Sequence, residues 1–277
     1  MEWSKIKNII ILILVLLNGF LLVLVGVREA RSAHYQEEAR SEAVEVLENS
    51  GIDFLPQRIP GDLSLPFWSV ERERIGASED AMSQALLGDV SKELRGGDIQ
   101  ASYTSPKGQA DFYSSGRFIF TFQPGAMPLA GEEPERHAAD CLEQLSFDGE
   151  LVGTETAEGR TVVTFCQTWS GDPVFSCQAV FTYQEDALVS IDAQRLSGTA
   201  AQTEGEPLLS TASVLIRFLA GVNDGSVSVC TQIKEMTPGY QASLTRPVST
   251  LTPVWRIVTD TGVYYLDGVT GEITAGN

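Results

Sequence analysis

The chain has only two histidines, His34 and His137, among 277 residues, and its four cysteines never occur as Cys-x-x-Cys. A zinc site of the usual kind needs close Cys or Cys/His pairs, so none is expected. Basic residues are also scarce: 19 Lys and Arg stand against 37 Asp and Glu, for a net charge of -18. That balance excludes a nucleic-acid partner, which needs basic patches, and disfavours adhesion to anionic lipid head groups. No Gly-x-Ser-x-Gly elbow, His-Glu-x-x-His helix or phosphate loop occurs. Ser/His catalysis would have to use His34, close behind an apolar run, or His137, on a charged stretch expected to leave it exposed. No pair of carboxylates is singled out for acid–base work. The expectation is therefore a protein that is not an enzyme, with no catalytic residues, cofactor or metal.

What the chain does have is an uncharged run from Ile9 to Val27. As a helix these nineteen residues cover about 28 Å, close to the roughly 30 Å hydrocarbon core of a bilayer. Arg28-Glu29-Ala30-Arg31 follows directly, which suits an uncleaved anchor better than a signal peptide. Lysines and arginines flank both ends almost equally. The short tail 1–8 is nevertheless most simply left in the cytoplasm, with the acidic remainder exported. The expected location is the plasma membrane, single-pass, with the bilayer contacted through 9–27. Asn18 and Gly19 interrupt the run. A carboxamide in hydrocarbon gains by bonding a neighbouring helix, and Gly lets backbones approach closely. Asn18 is either such a contact or a tolerated polar residue.

Residues 28–51, rich in Glu, Ala and Arg and closed by Gly51, read as a helical stalk. Residues 52–75 carry Pro56, Pro60 and Pro66 and read as an extended linker with apolar anchors. A helix followed by strands then recurs three times. The first helix is expected over 79–94, capped by Ser78 and stopped by Gly96-Gly97, the second over 133–145 and the third over 208–219. Strands are expected at 99–104, 109–114, 117–123, 151–155, 160–169, 174–183, 188–194, 226–236, 240–244, 254–259 and 263–266. Phe118, Phe120 and Phe122 share one face of their strand, as do Val163, Phe165 and Trp169. One buried and one wet face, with short connections, is the antiparallel habit. The fold class is α+β: an N-terminal transmembrane helix, then an ectodomain of antiparallel sheets packed by single helices. A first α+β lobe is expected over 52–130 and a second region over 131–277.

A hairpin centred on Gly171-Asp172 would set Cys166 opposite Cys177. Direct cross-strand Cβ atoms lie about 4.5–5.5 Å apart, somewhat wide for the roughly 3.5–4.5 Å of a disulfide. The pair is a disulfide staple or two buried thiols.

Both ends of the chain resemble one family. Met1-Glu2-Trp3-Ser4-Lys5 ahead of an Ile/Leu-rich span looks like the start of YycI proteins of Gram-positive bacteria. Thr252-Pro253-Val254-Trp255-Arg256-Ile257, Gly262-Val263-Tyr264-Tyr265-Leu266-Asp267 and Thr270-Gly271-Glu272 are similar to the YycI C-terminus and to a broader PepSY-like pattern; Gly171-Asp172-Pro173-Val174-Phe175 also fits. The ending reads physically as a structural hairpin: Trp255 lies on a strand, Asp267 caps nearby amides and Gly271 takes positive φ. The resemblance implies a membrane-anchored extracytoplasmic regulator. Its partners would be a sensor histidine kinase controlling cell-wall homeostasis and a YycH-like protein, with Asn18 and Gly19 as the specific membrane contact. The alternative is a PepSY-like binding or inhibitory module acting on a wall peptidase or a peptide.

Overall fold

The computed structural model describes residues 2–71, 76–96, 99–244 and 248–276; the side chains of 2–13, 23–33 and 99–100 lie outside that description. A single helix, α1 (Glu2–Asn49), covers both the apolar run and the stalk. It stops at Gly51, whose φ of +87° suits a residue without Cβ. Among the described residues no helix is long and apolar enough to cross a membrane. Residues 9–13 and 23–27 of the expected span lie outside the described side chains.

Two short strands follow, β1 (Asp53–Phe54) and β2 (Phe67–Glu71). The first helix–strand unit is α2 (Ala77–Leu87), β3 (Ser91–Leu94), β4 (Ile99–Ser105), β5 (Gly108–Tyr113) and β6 (Arg117–Phe122). The second is α3 (Pro134–Gln144), β7 (Gly149–Ala157), β8 (Arg160–Trp169), β9 (Asp172–Gln184) and β10 (Ala187–Gln194). An edge strand, β11 (Thr199–Thr203), precedes the third unit: α4 (Thr211–Asp224), β12 (Gln232–Ser243), β13 (Val248–Thr259), β14 (Val263–Asp267) and β15 (Ile273–Ala275).

All described strands join one mostly antiparallel sheet, ordered β11-β2-β13-β12-β9-β10-β6-β5-β4-β3, with β8-β7, β14-β15 and β1 attached at β9, β13 and β12. Among the described residues only β1–β12 and β12–β9 pair in parallel, the latter through the single pair Tyr240–Val174. The mixed α+β class follows, with few helices on a large sheet. Where several sheets were expected, there is one.

The first unit differs from its expected form. The helix ends at Leu87 rather than 94, because Gly88 has φ +78° and cannot continue it. Ser91–Leu94 instead pairs with β4. Gly76, not Ser78, is the N-cap, and its N–H donates to Glu79 Oε2 at 2.6 Å. In the third unit, α4 starts at Thr211, capped by Ser210, and Leu208 and Leu209 pack on the core from outside the helix. The strands expected at 226–236 and 240–244 form one, β12, through Pro238-Gly239. Pro238 is tolerated because β9 reaches β12 only at Tyr240, so no donor is required of residue 238 on that side. Gly239 is required: a Cβ there would meet the Phe175 ring and Pro173 O at 2.6 Å.

The first core lies under α2 and α3. Phe118, Phe120 and Phe122 of β6 alternate into it beside Phe112, Phe165 and Phe181, against Met82, Leu86 and Leu142. It runs from Met82 to Ala193, across the boundary expected at 130–131. The second core packs Val214, Leu215 and Phe218 of α4 on Trp255, Ile257, Tyr264 and Leu266. A smaller cluster of Val70, Val174, Cys177, Leu196, Tyr240 and Leu251 lies where β9 meets β12. Trp169 packs on this junction and not with Val163 and Phe165, because the β8–β9 ladder is irregular at Cys166/Gln167.

Candidate functional site

The stalk enters the second core. Ala43 and Leu47, one turn apart on α1, are 4% and 0% exposed and pack with Ile52 and the apolar face of α4. A polar chain runs beside this seam. Arg40 Nη2 donates to Glu37 Oε2 at 2.6 Å, and Nη1 lies 3.7 Å from Asp62 Oδ1. Asp62 Oδ1 accepts from Thr211 N–H at 2.9 Å, while Thr211 Oγ1 donates to Gly61 O at 2.8 Å. A carboxylate at the N-terminus of α4 also suits the helix dipole. Next to the seam is a groove of about 470 Å³ lined by Ala39, Ala43 and Ala212, by Glu42 and Arg217, and by half-exposed Val46 and Ile216.

A second hollow, of about 710 Å³, lies on the sheet faces that carry no helix. Gln178 and Val180 of β9 and Ser190 and Asp192 of β10 line one side; Gln241, Tyr265 and Thr274 line the other. Alternation explains this: on β9, Cys177, Ala179 and Phe181 turn to the buried clusters, so residues 178, 180 and 182 face the opposite way. A smaller hollow of about 240 Å³ adjoins it and shares Gln241, Tyr265 and Thr274.

Titratable groups meet in two other places. His137 is half-buried rather than exposed, with Nδ1 3.1 Å from Tyr183 Oη and 3.9 Å from Cys141 Sγ. Burial pushes the Cys141 thiol up to about 12 and raises Tyr183 as well. Cys141 is 2% exposed, so this thiol is protonated at neutral pH and shielded. Asp80 Oδ1 accepts from Lys92 Nζ at 2.6 Å and from Tyr103 Oη at 2.5 Å. These bonds, Lys92 first, lower the Asp80 carboxyl, while burial pushes Tyr103 up to about 12. His34 lies exposed on the stalk beside Tyr35. Among the described residues no group of three or more His, Cys, Asp or Glu is arranged to hold a metal.

The cysteine pairing does not form. The turn is Ser170-Gly171, with φ of +55° and +93°, one residue earlier than expected. Beyond it the irregularity sets Cys166 opposite Gln178. Cys166 and Cys177 fall in different clusters, and among the described residues no cysteine is in a disulfide. Asn18 Nδ2 donates to Leu14 O of its own helix at 2.8 Å, and a Cβ on Gly19 would meet nothing within 4 Å. Trp255 is buried in the second core opposite Leu266, and its Nε1 has no partner among the described residues. Asp267 Oδ1 accepts from Val269 N–H and Thr270 N–H at 2.8 Å each. Gly271 has φ +72°, and a Cβ there would meet Arg217 Cδ at 2.3 Å.

Sequence reasoning missed Arg195, which is 6% exposed. Its Nη1 donates to Leu145 O at 2.9 Å and its Nη2 to Ser78 Oγ at 3.0 Å, joining the start of α2 to the end of α3. No motif announces such a tie; an arginine directly after a strand is the only trace.

No protein-family model and no curated protein matches the chain. Among solved structures, it is similar to an uncharacterized protein from Eubacterium rectale ATCC 33656: TM-score 0.53 at 11% identity, over 82% of this chain and 90% of that one. At that identity the likeness is one of fold alone. The Bacillus megaterium YpeB C-terminal domain aligns over 72% of this chain and 96% of its own, at 12% identity and a TM-score of 0.38.

Proposed function

We propose that this chain is a membrane-anchored extracytoplasmic regulatory protein that modulates a sensor histidine kinase of a two-component system controlling cell-wall homeostasis, together with a YycH-like partner. The observation that supports this reading is the continuity of α1. Its 48 residues extend for about 72 Å, and its last two turns are built into the core under α4. A rotation or shift of the span therefore reaches the ectodomain through a rigid rod rather than a loose linker. A regulator of this kind works only if it binds two kinase states with different affinity. The groove beside the α1–α4 seam gives such a partner a helix-sized place to pack, with Asn18 and Gly19 available at membrane depth.

A second reading is favoured by the helix-free hollow: a PepSY-like module that binds a wall peptidase or peptide, with the span as tether. Crosslinking in intact cells, followed by identification of the captured partner, separates the two. Capture of a sensor kinase is the expected result, and capture of wall enzymes alone would replace the first reading by the second. Replacing 9–27 by an unrelated membrane helix should also abolish signalling control; full control after the swap removes the helix contact from the proposal. Added protease should digest everything beyond the stalk in protoplasts, and a protected ectodomain would reverse the orientation.

A further inference from the structure

The helix-free hollow departs from the composition of its own chain. With net charge -18, an average surface groove here would be lined by carboxylates. Among the residues lining the larger hollow, Asp192 is the single carboxylate and Arg160 the single cation. Asp192 is already engaged, accepting from Arg117 Nε and Nη2 at 2.9 and 2.6 Å. Arg160 Nη2 donates to Thr182 Oγ1 at 3.3 Å. In the larger hollow a polyanion would find one guanidinium, and a polycation one carboxylate that is already paired. The smaller hollow adds Glu272 and Asp267, the latter already accepting from Val269 and Thr270 N–H. A polyanion is therefore disfavoured along the whole groove, and a polycation meets scattered carboxylates rather than a cluster.

The remaining chemistry is amide and hydroxyl. Gln178 Nε2 donates to Phe175 O at 3.3 Å and Gln194 Nε2 to Ser115 O at 2.9 Å. Both carboxamides are thereby fixed by their donor ends, and their carbonyl oxygens remain as acceptors. Gln241, which lines both hollows, has an Oε1 that is buried with no partner among the described residues. A buried acceptor without a donor is costly, so a turn of the Gln241 amide that brings Oε1 out to a ligand O–H in the hollow is favoured. Apolar surface is present too: the Phe175 and Tyr265 rings lie 5.4 Å apart at 37°, and Tyr265 lines both hollows. Such rings accept the C–H face of a pyranose while its hydroxyl edge meets the amides. The larger hollow alone falls within the roughly 300–1,000 Å³ of small-molecule sites, and the smaller one extends it beyond a single sugar unit.

We propose that the two hollows form one binding groove for a neutral oligosaccharide, held by the carboxamides of Gln178, Gln194 and Gln241 and by the Phe175–Tyr265 aromatic pair. This stands on the groove alone and needs neither the kinase nor the membrane. The full-length chain, in a detergent without a sugar head group, would be titrated calorimetrically with cellohexaose, chitohexaose, an anionic hexagalacturonate and a neutral hexapeptide. A neutral hexasaccharide should bind, and the anionic one should not. Gln178→Ala combined with Gln194→Ala should weaken binding about tenfold or more. Val180→Arg, which fills the floor of the groove, should abolish it. Thermal unfolding of each variant checks that the fold is retained. The proposal is overturned if neither neutral sugar gives heat at millimolar concentration, if both variants bind as tightly as the parent, or if the peptide binds in preference to the sugars.

Discussion

The first core takes its helical cover from α2 and α3, within residues 77–144, whereas the second core takes part of its cover from α1. Both are helices laid on an antiparallel sheet. The first is rich in phenylalanine, with Phe112, Phe118 and Phe120 in mutual ring contact at 5.8–6.0 Å, and among the described residues it includes none from the stalk. The second has a single helix of its own, α4, and completes its cover with Ala43 and Leu47. A lobe closed from within is a platform; a lobe closed by the long N-terminal helix feels what happens to that helix. Displacement of α1 should loosen the third unit first and leave the phenylalanine core unchanged.

The largest effect is expected from Phe120→Ala, at a side chain that is 0% exposed. A buried Phe→Ala change costs about 3–5 kcal/mol, read as a lower denaturation midpoint, and the loss should appear in the first core. Leu47→Ala should cost about 2–5 kcal/mol and sharpens the contrast. Cys230 lies in the second core with Leu47, while Cys141 lies in the first. Thiol labelling under native conditions should therefore speed up at Cys230 and stay slow at Cys141. Equal acceleration at both would mean that the two cores open as one body, and the comparison would fail. Ser210→Ala removes the cap whose side chain accepts from Ser213 N–H. About 1 kcal/mol of stability should be lost, with faster hydrogen exchange confined to the third unit. Arg117→Ala breaks a pair with side chains 47% and 45% exposed. Its stability cost should be no more than about 1 kcal/mol and should shrink further in salt.

The same contrast governs how much could be read from the sequence. The phenylalanines of β6 carry a clear period and Pro134 marks the first turn of α3, so these two elements stand close to their expected positions, whereas α4, expected over 208–219, begins at Thr211 and runs on to Asp224 before Gly225 at φ +85° stops it. Ser91-Lys92-Glu93-Leu94 has no period and good helix formers; it becomes a strand because β4 offers it an edge, which is a tertiary decision. Thr199–Thr203 is exposed at every position and has no apolar signal to betray β11. The cysteine register failed on one residue of turn placement followed by a ladder irregularity, since a single slip exchanges the two faces of a strand. The helix-free hollow was invisible for a related reason. Its glutamines, serines and threonines are ordinary outward-facing strand residues until the sheet faces on either side of the β9–β12 contact come together.

Arg195 has a consequence for the order in which the chain assembles. Its donors are shared between Ser78 on α2 and Leu145 at the end of α3, partners 117 and 50 residues away. Before both helices dock, the guanidinium has no reason to leave water, and burying it early would be strongly unfavourable. The first two helix–strand units are thus discouraged from folding one after the other as independent pieces, although each contains its own hairpins. Their closure is expected as one event, delayed by the search for contacts so distant along the chain. Amides of α2 and α3 should accordingly gain protection together during refolding, even though about fifty residues separate the two helices.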